Sequence, residues 1–197
     1  MSAADHRPTS FGGRGARRRI LSAARHLFHQ HGINATGVAE LCAAAHVSKR
    51  TLYQHFAGKD ELVAAYLRDV AEDPEYPPES VLAREDLAPR ARLLEIFTAL
   101  ASGGHPMRGC PFVNAAAELP DPVHPGHHFA AAHKRRFAER LAGLAREAGA
   151  RDADRVGRRV ALLYDGAAAQ IVVHDSAEPA AQAQALAAAL LREAIDQ

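Results

Sequence analysis

ATGVAELCAAAHVSKRTLYQHFAGKDEL, residues 35–62, is the stretch of sequence that decides the fold. Thr36 is a good N-cap for a short helix. The apolar residues that follow it at helical spacing are Val38, Leu41, Cys42 and Ala45. A tight turn at 46–47 comes next, and Ser48 is placed to cap a second helix over 49–55. The stretch therefore predicts a helix-turn-helix.

The second of these helices has two chemically different faces. Leu52 and Phe56 lie four residues apart and are expected to point inward. The opposite face carries Lys49, Arg50, Tyr53 and Gln54. A short helix with cationic, aromatic and amide side chains outside suits the major groove of DNA. The alternative for Tyr53 is a core aromatic, although Leu52 and Phe56 already fill the inward positions.

The net charge of +1 conceals a strong asymmetry along the chain. Residues 1–59 hold nine Lys or Arg against two acidic residues, a charge of +7. Residues 60–197 hold the other 15 basic residues against 21 acidic ones, a charge of −6. The run 17–19, three arginines, could be only a solvated arm. Beside a helix-turn-helix, however, a basic end favours contact with the DNA polyanion.

Composition excludes several other classes of protein. No apolar run approaches the roughly 18 residues of a transmembrane helix. The charged N-terminus lacks the apolar core of a secretory signal, and two cysteines do not suggest a disulfide framework. We therefore expect a cytoplasmic protein without a membrane partner. No phosphate loop, nucleophile elbow or acidic metal cluster supports catalysis, and no cofactor is predicted.

The remainder of the chain is predicted to be helical, with no strand alternation. Helices are expected over 14–31, from 59 to about 72, from 89 to about 102, over 108–119, and over 127–148, 152–175 and 179–195. The Pro-rich segment DPEYPPES, residues 73–80, is the predicted domain seam. The expected division is a mobile arm over 1–13, a helix-turn-helix domain over 14–72 and a second helical domain over 73–197.

Residues 17–67 resemble the DNA-binding domain of the TetR family of one-component transcriptional regulators. The matching motifs are I-L-x-A-A-x-x-L-F at 20–28, H-G at 31–32, T-x-V-A-E-L at 36–41, V-S-K at 47–49 and T-L-Y-x-H-F-x-x-K at 51–59. The resemblance implies an all-α homodimer with a three-helix DNA-binding domain. It also implies a larger domain that dimerises through its last two helices and encloses a pocket for a small-molecule effector. Members of the family usually repress, and release a DNA operator when the effector binds.

The resemblance also assigns DNA contacts position by position. The predicted DNA-binding residues are Arg17, Arg18, Thr36, Lys49, Arg50, Thr51, Tyr53, Gln54, His55 and Lys59. Within this set, Tyr53, His55 and Lys59 are expected to reach phosphates. Lys49, Arg50 and Gln54 are the candidates for contacting base edges.

Three positions depart from the family pattern. His46 stands where the turn usually has Gly, in a left-handed conformation that His tolerates at some cost. Arg50 replaces a residue that is usually small, and so presents a cation to the DNA. Gly37 replaces a frequent Thr or Ser, and so removes a hydroxyl contact.

The second domain contains candidate residues for effector recognition. These are Phe97, Cys110, Phe112, Asn114, Phe129, His133 and Tyr164, and ordinary core packing is an equally good interpretation of most of them. Cys110 near Arg108 could instead be a redox sensor, or a buried and inert thiol. The histidines His105, His124, His127, His128 and His133 could hold a metal. Their spacing is poor for that purpose, and favours surface or capping roles.

The resemblance, together with the basic end and the outward face of the second helix, thus implies a ligand-released repressor that binds a palindromic, double-stranded DNA operator as a dimer. The alternatives left open are a transcriptional activator, a regulator without a ligand, and a metal or redox sensor that uses the 105–133 region and Cys110. An enzyme or a purely structural helical protein would explain neither the basic end nor the outward face of residues 49–54.

Overall fold

The computed structural model of the chain describes residues 14–102 and 108–195. Within these ranges the chain is all-helical and has no strand, which confirms the predicted fold class. The helices are α1 (Arg14–His31), α2 (Val38–Ala44), α3 (Lys49–His55), α4 (Lys59–Ala71), α5 (Pro77–Leu82), α6 (Pro89–Ala101), α7 (Pro111–Glu118), α8 (Pro125–Glu147), α9 (Ala153–His174) and α10 (Glu178–Ile195). The predicted arm over 1–13 lies outside the described residues.

The chain divides into two compact units, and the first of them ends at Tyr66. The second unit begins at Leu67, inside α4, rather than at the Pro-rich segment. Helix α4 is therefore a continuous element that starts in one unit and finishes in the other.

The first unit is built around the buried faces of α1, α2 and α3. Its buried apolar residues include Ile20, Ala24, Leu27, Phe28, Leu41, Leu52 and Phe56. The ring of Phe28 meets that of Tyr66 edge-on at 5.5 Å between centroids, an arrangement that aromatic quadrupoles favour. This core holds the short helix α3 in place, because seven residues would not remain helical alone.

The turn between α2 and α3 has the predicted geometry. His46 adopts a left-handed backbone with φ of +50°, and the amide N–H of Val47 donates to the carbonyl of Cys42 at 3.0 Å. Ser48 then caps α3, since its Oγ accepts a hydrogen bond from the N–H of Thr51 at 3.0 Å. These local interactions set the point at which α3 begins.

The prediction that Thr36 caps α2 is wrong. The N-cap of α2 is Gly37, which provides no side-chain hydrogen bond. Thr36 is 0% exposed, and its hydroxyl donates to the carbonyl of Gly32 at 2.7 Å, just beyond the end of α1. Because this buried hydroxyl satisfies a carbonyl near the end of α1, it is not presented to DNA.

The non-helical linker after α4 is shorter than the predicted Pro-rich segment, residues 73–80. Helix α5 begins at Pro77, within the segment, and Pro78 follows it in the first turn. Proline is compatible with the first turn of a helix because the N–H groups there have no helical acceptor. The pair of prolines therefore starts a helix rather than extending the linker.

The second unit is a bundle in which α8 packs on α9, and α10 packs on α9 and α6. Its buried residues include Leu93, Ile96, Phe97, Leu141, Val160, Tyr164, Ile171 and Leu191. Helices α8 and α9 approach closely at Gly157, where a Cβ would stand 2.5 Å from the backbone nitrogen of Ala142. Only glycine permits this contact between the two backbones.

Candidate functional site

The outward face of α3 is exposed to solvent. The side chains of Lys49, Arg50 and Gln54 lie on the surface, and Tyr53 is 52% exposed. Leu52 is fully buried beneath them, which rules out the alternative of Tyr53 as a core aromatic. The helix therefore presents two cations, an amide and a phenol together on one exposed face.

Two further candidates lie at the edges of this face. Thr51 is half-buried, and its hydroxyl shares a 2.8 Å hydrogen bond with that of Ser48. His55, in the last turn of α3, is also half-buried. Both side chains are positioned by the folded unit rather than extended freely into solvent.

Lys59 occupies the first position of α4, three residues after Phe56 closes α3. The carboxylate of Glu61 accepts a hydrogen bond from the N–H of Ala57 at 2.6 Å and fixes the entry to the helix. The half-buried Lys59 is thereby held at a defined position near the end of α3.

The arginines of α1 have different environments. Arg17 and Arg18 are exposed, and the guanidinium of Arg17 lies 5.3 Å from the centroid of the Phe56 ring, a cation–π contact. Arg19 is partly buried and its Nε donates to the carbonyl of Ala45 at 3.1 Å. Arg19 therefore links α1 to the end of α2, a structural role that the sequence alone did not reveal.

The second unit contains a cavity of about 450 Å³, a size typical of small-molecule sites, which is open to solvent on the side where Arg68 and Arg136 are exposed. Its walls come from the end of α4, from α5 and from one face of α8. The lining residues are Arg68, Ala71, Glu72, Glu79, Phe129, His133, Arg136, Phe137 and Arg140. Two predicted effector-binding residues, Phe129 and His133, are among them.

The other aromatic candidates lie behind this cavity. Phe112 is fully buried and stacks on the ring of His133, with 3.7 Å between ring centroids and 18° between ring planes. The rings of Phe97 and Tyr164 pack together in the helical core with 6.1 Å between their centroids. Burial raises the pKa of the Tyr164 phenol. Helical spacing placed these residues inside correctly, but Phe97, Phe112 and Tyr164 do not line the cavity.

Cys110 and Asn114 do not line the cavity either. Cys110 is buried, and this burial raises the pKa of its thiol despite the nearby charge of Lys134. A redox-sensing thiol requires the opposite shift, so the redox alternative is disfavoured. The amide nitrogen of Asn114 donates to the carbonyl of Arg108 at 2.5 Å and holds the loop that precedes α7.

His133 is a buried imidazole whose environment keeps it neutral. Desolvation, with the charges of Lys134 and Arg136, lowers the pKa of His133 to about 4. Its Nε2 lies 4.0 Å from Oε1 of Glu79, and that carboxylate forms an ion pair with Arg140. Glu79 is thus already neutralised by an arginine.

The charged residues of the cavity were not predicted from the sequence. On α8, Phe129, His133, Arg136 and Arg140 recur at intervals of four, three and four residues, which places them on one helical face. That periodicity is visible in the sequence. The carboxylate of Glu79 was not predictable, since it comes from α5, within a segment read as a linker.

The histidines do not assemble into a metal site within residues 14–102 and 108–195. No group of three or more potential ligands is found there. His124 caps α8 by accepting a hydrogen bond from Gly126, and Nδ1 of His127 lies 2.7 Å from the carbonyl oxygen of Leu119. The capping interpretation is right for His124, while His105 lies outside the described residues.

None of the helices in the described ranges combines the length and apolar character needed to cross a membrane.

Comparison with known proteins identifies relatives of both units. The family model "Bacterial regulatory proteins, tetR family" matches residues 20–66. The HTH-type transcriptional regulator UidR of Escherichia coli K12 is 37% identical over 51 residues, which cover 26% of this chain and 26% of UidR. The chain thus aligns with about a quarter of the length of this curated relative.

Solved structures match nearly the whole chain. A TetR-family transcriptional regulator from Streptomyces coelicolor is 31% identical with a TM-score of 0.83, covering 91% of this chain and 96% of that one. A regulator assigned to the same family from Streptomyces avermitilis is 33% identical with a TM-score of 0.80, covering 92% and 98%. With its helix-turn-helix and helical second unit, the chain belongs to the TetR family of transcriptional regulators, which are DNA-binding proteins and not enzymes.

Proposed function

We propose that this chain is a repressor that binds a palindromic operator as a homodimer and releases it when a small molecule occupies the cavity. The exposed face of α3 is the observation that carries the proposal. Lys49, Arg50, Tyr53 and Gln54 are held there by a capped helix whose inner face is fully buried. A rigid helix with donors on one side suits the major groove.

We assign two kinds of DNA contact to these residues. Arg50 and Lys49 are donors that fit guanine, and the amide of Gln54 fits adenine, so these three contact base edges. Tyr53, His55 and Lys59 flank the face and contact phosphates. Arg17 and Arg18 add cations that bind the backbone without sequence preference.

Dimerisation is assigned to α9 and α10. These helices expose large apolar side chains that the rest of the chain leaves uncovered, with Leu162 at 74%, Val173 at 73% and Leu186 at 59% exposure. On α10 the exposed and half-buried surface also includes Ala181, Ala185, Ala188 and Ala189, small residues that let helices pack closely. A second copy would bury this surface and place two α3 helices against one duplex.

Effector release is assigned to α4. This helix begins close to α3 in the sequence, at Lys59, and its last turns contribute Arg68 and Ala71 to the cavity, followed directly by Glu72. A molecule in the cavity that prefers one position of α4 shifts the population of DNA-binding states. The shift cannot exceed its difference in affinity for the two states.

Selection of binding sites from a random pool of DNA duplexes tests this function. We expect an inverted repeat whose half-sites lie about one helical turn apart, or a multiple of it, as two α3 helices require. Recovery of no common sequence would refute sequence-specific binding. A reporter driven from the selected site, with and without the protein, then distinguishes repression from activation.

A further inference from the structure

Two guanidinium groups converge on one aromatic ring at the cavity. The guanidinium carbon of Arg68 lies 5.7 Å from the centroid of Phe129, and that of Arg136 lies 5.8 Å from the same centroid. In the part of the chain that the structure describes, neither forms an ion pair with a carboxylate. Two like charges are therefore held near one ring without an anion between them.

The charges of the whole cavity lead to the same conclusion. Its lining contains three guanidiniums and two carboxylates, while His133 is neutral near pH 7. Arg140 already pairs with Glu79. Only Glu72 remains to balance Arg68 and Arg136, so the cavity has an excess charge of +1.

The remaining wall is apolar and largely aromatic. Phe129, Phe137 and Ala71 line it, together with the flat ring of His133, which Phe112 supports from behind. Such a wall favours a hydrophobic body, and its volume of about 450 Å³ suits a small organic molecule.

We propose that this cavity binds a monoanionic organic acid, whose carboxylate is held by Arg68 and Arg136 and whose apolar body packs on Phe129, Phe137 and His133. This assignment rests on the proposed function, since it names the chemical class of the effector. Guanidinium groups suit a carboxylate because they donate two parallel hydrogen bonds to it. A monoanion also cancels the excess charge of the lining, whereas a cation would be repelled by it.

The two arginines belong to different helices. Arg68 lies on α4 and Arg136 on α8, so a carboxylate bound by both would tie these helices together. Helix α4 is the element to which effector release is assigned. The anion would therefore act where a small displacement changes the position of α4.

The test uses acids and amides of matched shape. Naphthoate and naphthamide, and decanoate and decanamide, are titrated calorimetrically into the full-length protein near pH 7. We expect at least one acid to bind at least about tenfold more tightly than its amide, because the carboxylate gains charge-assisted hydrogen bonds. Equal affinities within both pairs, or no saturable binding up to about 1 mM, would overturn the assignment.

Variants locate the site. Arg68→Gln and Arg136→Gln should each reduce the affinity for the acid about tenfold or more and leave the affinity for the amide unchanged. Arg135→Gln, an exposed neighbour on α8 outside the cavity lining, is the matched control and should bind as the wild type does. Loss of the acid preference in Arg135→Gln, or its retention in both cavity variants, would refute the site.

Operator binding separates this inference from the proposed function. The affinity of the protein for its selected site, without any acid, tests DNA recognition alone. If that binding fails while the acids still bind through Arg68 and Arg136, the cavity assignment stands and the proposed function is wrong. If the protein binds its operator but not the acids, DNA recognition stands and the cavity assignment is wrong.

Discussion

Substitution of Gly157 by alanine should destabilise the second unit, although alanine is the better helix former. Gly157 lies inside α9, against the backbone of α8. A Cβ there would stand 2.5 Å from the nitrogen of Ala142 and 2.7 Å from its Cα and Cβ. Carbon atoms pack at about 3.5–4.0 Å, so the helices would have to separate by roughly 1 Å.

The magnitude follows from two opposing contributions. Exchanging glycine for alanine inside a helix gains up to about 1 kcal/mol. Overpacking costs about 1–3 kcal/mol, and the upper end applies here because the clash involves backbone atoms that cannot rotate away. The expected net loss is about 2 kcal/mol, which lowers the Tm of a protein of this size by about 4–8 °C.

Gly143→Ala is the matched control. Gly143 lies inside α8, and a Cβ there would meet nothing within 4 Å. This variant should gain up to about 1 kcal/mol. Thermal unfolding is followed by circular dichroism at one protein concentration, since association makes Tm depend on concentration. A Gly157→Ala variant as stable as the wild type would refute the close approach of α8 and α9.

Four further predictions concern the two units. Ser48→Ala removes the cap of α3, and should cost about 1 kcal/mol in unfolding experiments and weaken operator binding. Arg50→Ala should change which bases are preferred in binding-site selection, whereas Tyr53→Ala should weaken binding to all duplexes equally. Leu162→Asp should yield a monomer on size-exclusion chromatography, because it places a charge on the proposed dimer surface. As pH falls from 6.5 towards 4 the second unit should lose stability, because the pKa of His133 is about 4 in the folded chain and only the unfolded chain takes up the proton in this range. The free energy of unfolding should fall by at most about 1.4 kcal/mol per pH unit, and His133→Gln should remove this dependence.

Features fixed by local chemistry were predictable from the sequence. Helices α1 and α3 begin and end where the sequence predicts, because Gly32 and Ser48 determine boundaries through interactions a few residues long. The left-handed His46 and the capping serine belong to the same class. Such features need no knowledge of the tertiary structure.

Features that depend on distant partners were not predictable. Thr36 is an exception with a local partner, since it resembles an N-cap but its hydroxyl donates to the carbonyl of Gly32, four positions earlier. Periodicity placed Phe97 and Tyr164 inside the second unit but could not distinguish the core from the wall of a cavity. Arg140 and Glu79 pair across 61 positions, so their contact appears only when α5 and α8 are brought together.

The central claim is that α3 recognises DNA by sequence. The most direct test is a titration of the purified protein with the duplex immediately upstream of its own gene, at two salt concentrations and with random DNA as competitor. The proposed dimer would have six phosphate-binding cations, Arg17, Arg18 and Lys59 from each subunit. They predict that the logarithm of the binding constant falls against the logarithm of the salt concentration with a slope of about −5, or about 10³-fold weaker binding at 200 than at 50 mM. We expect this duplex to outcompete random DNA, and Arg50→Ala to reduce the preference for it, because the variant prefers other bases. Weak binding of equal strength to both duplexes, unchanged in Arg50→Ala, would contradict the central claim.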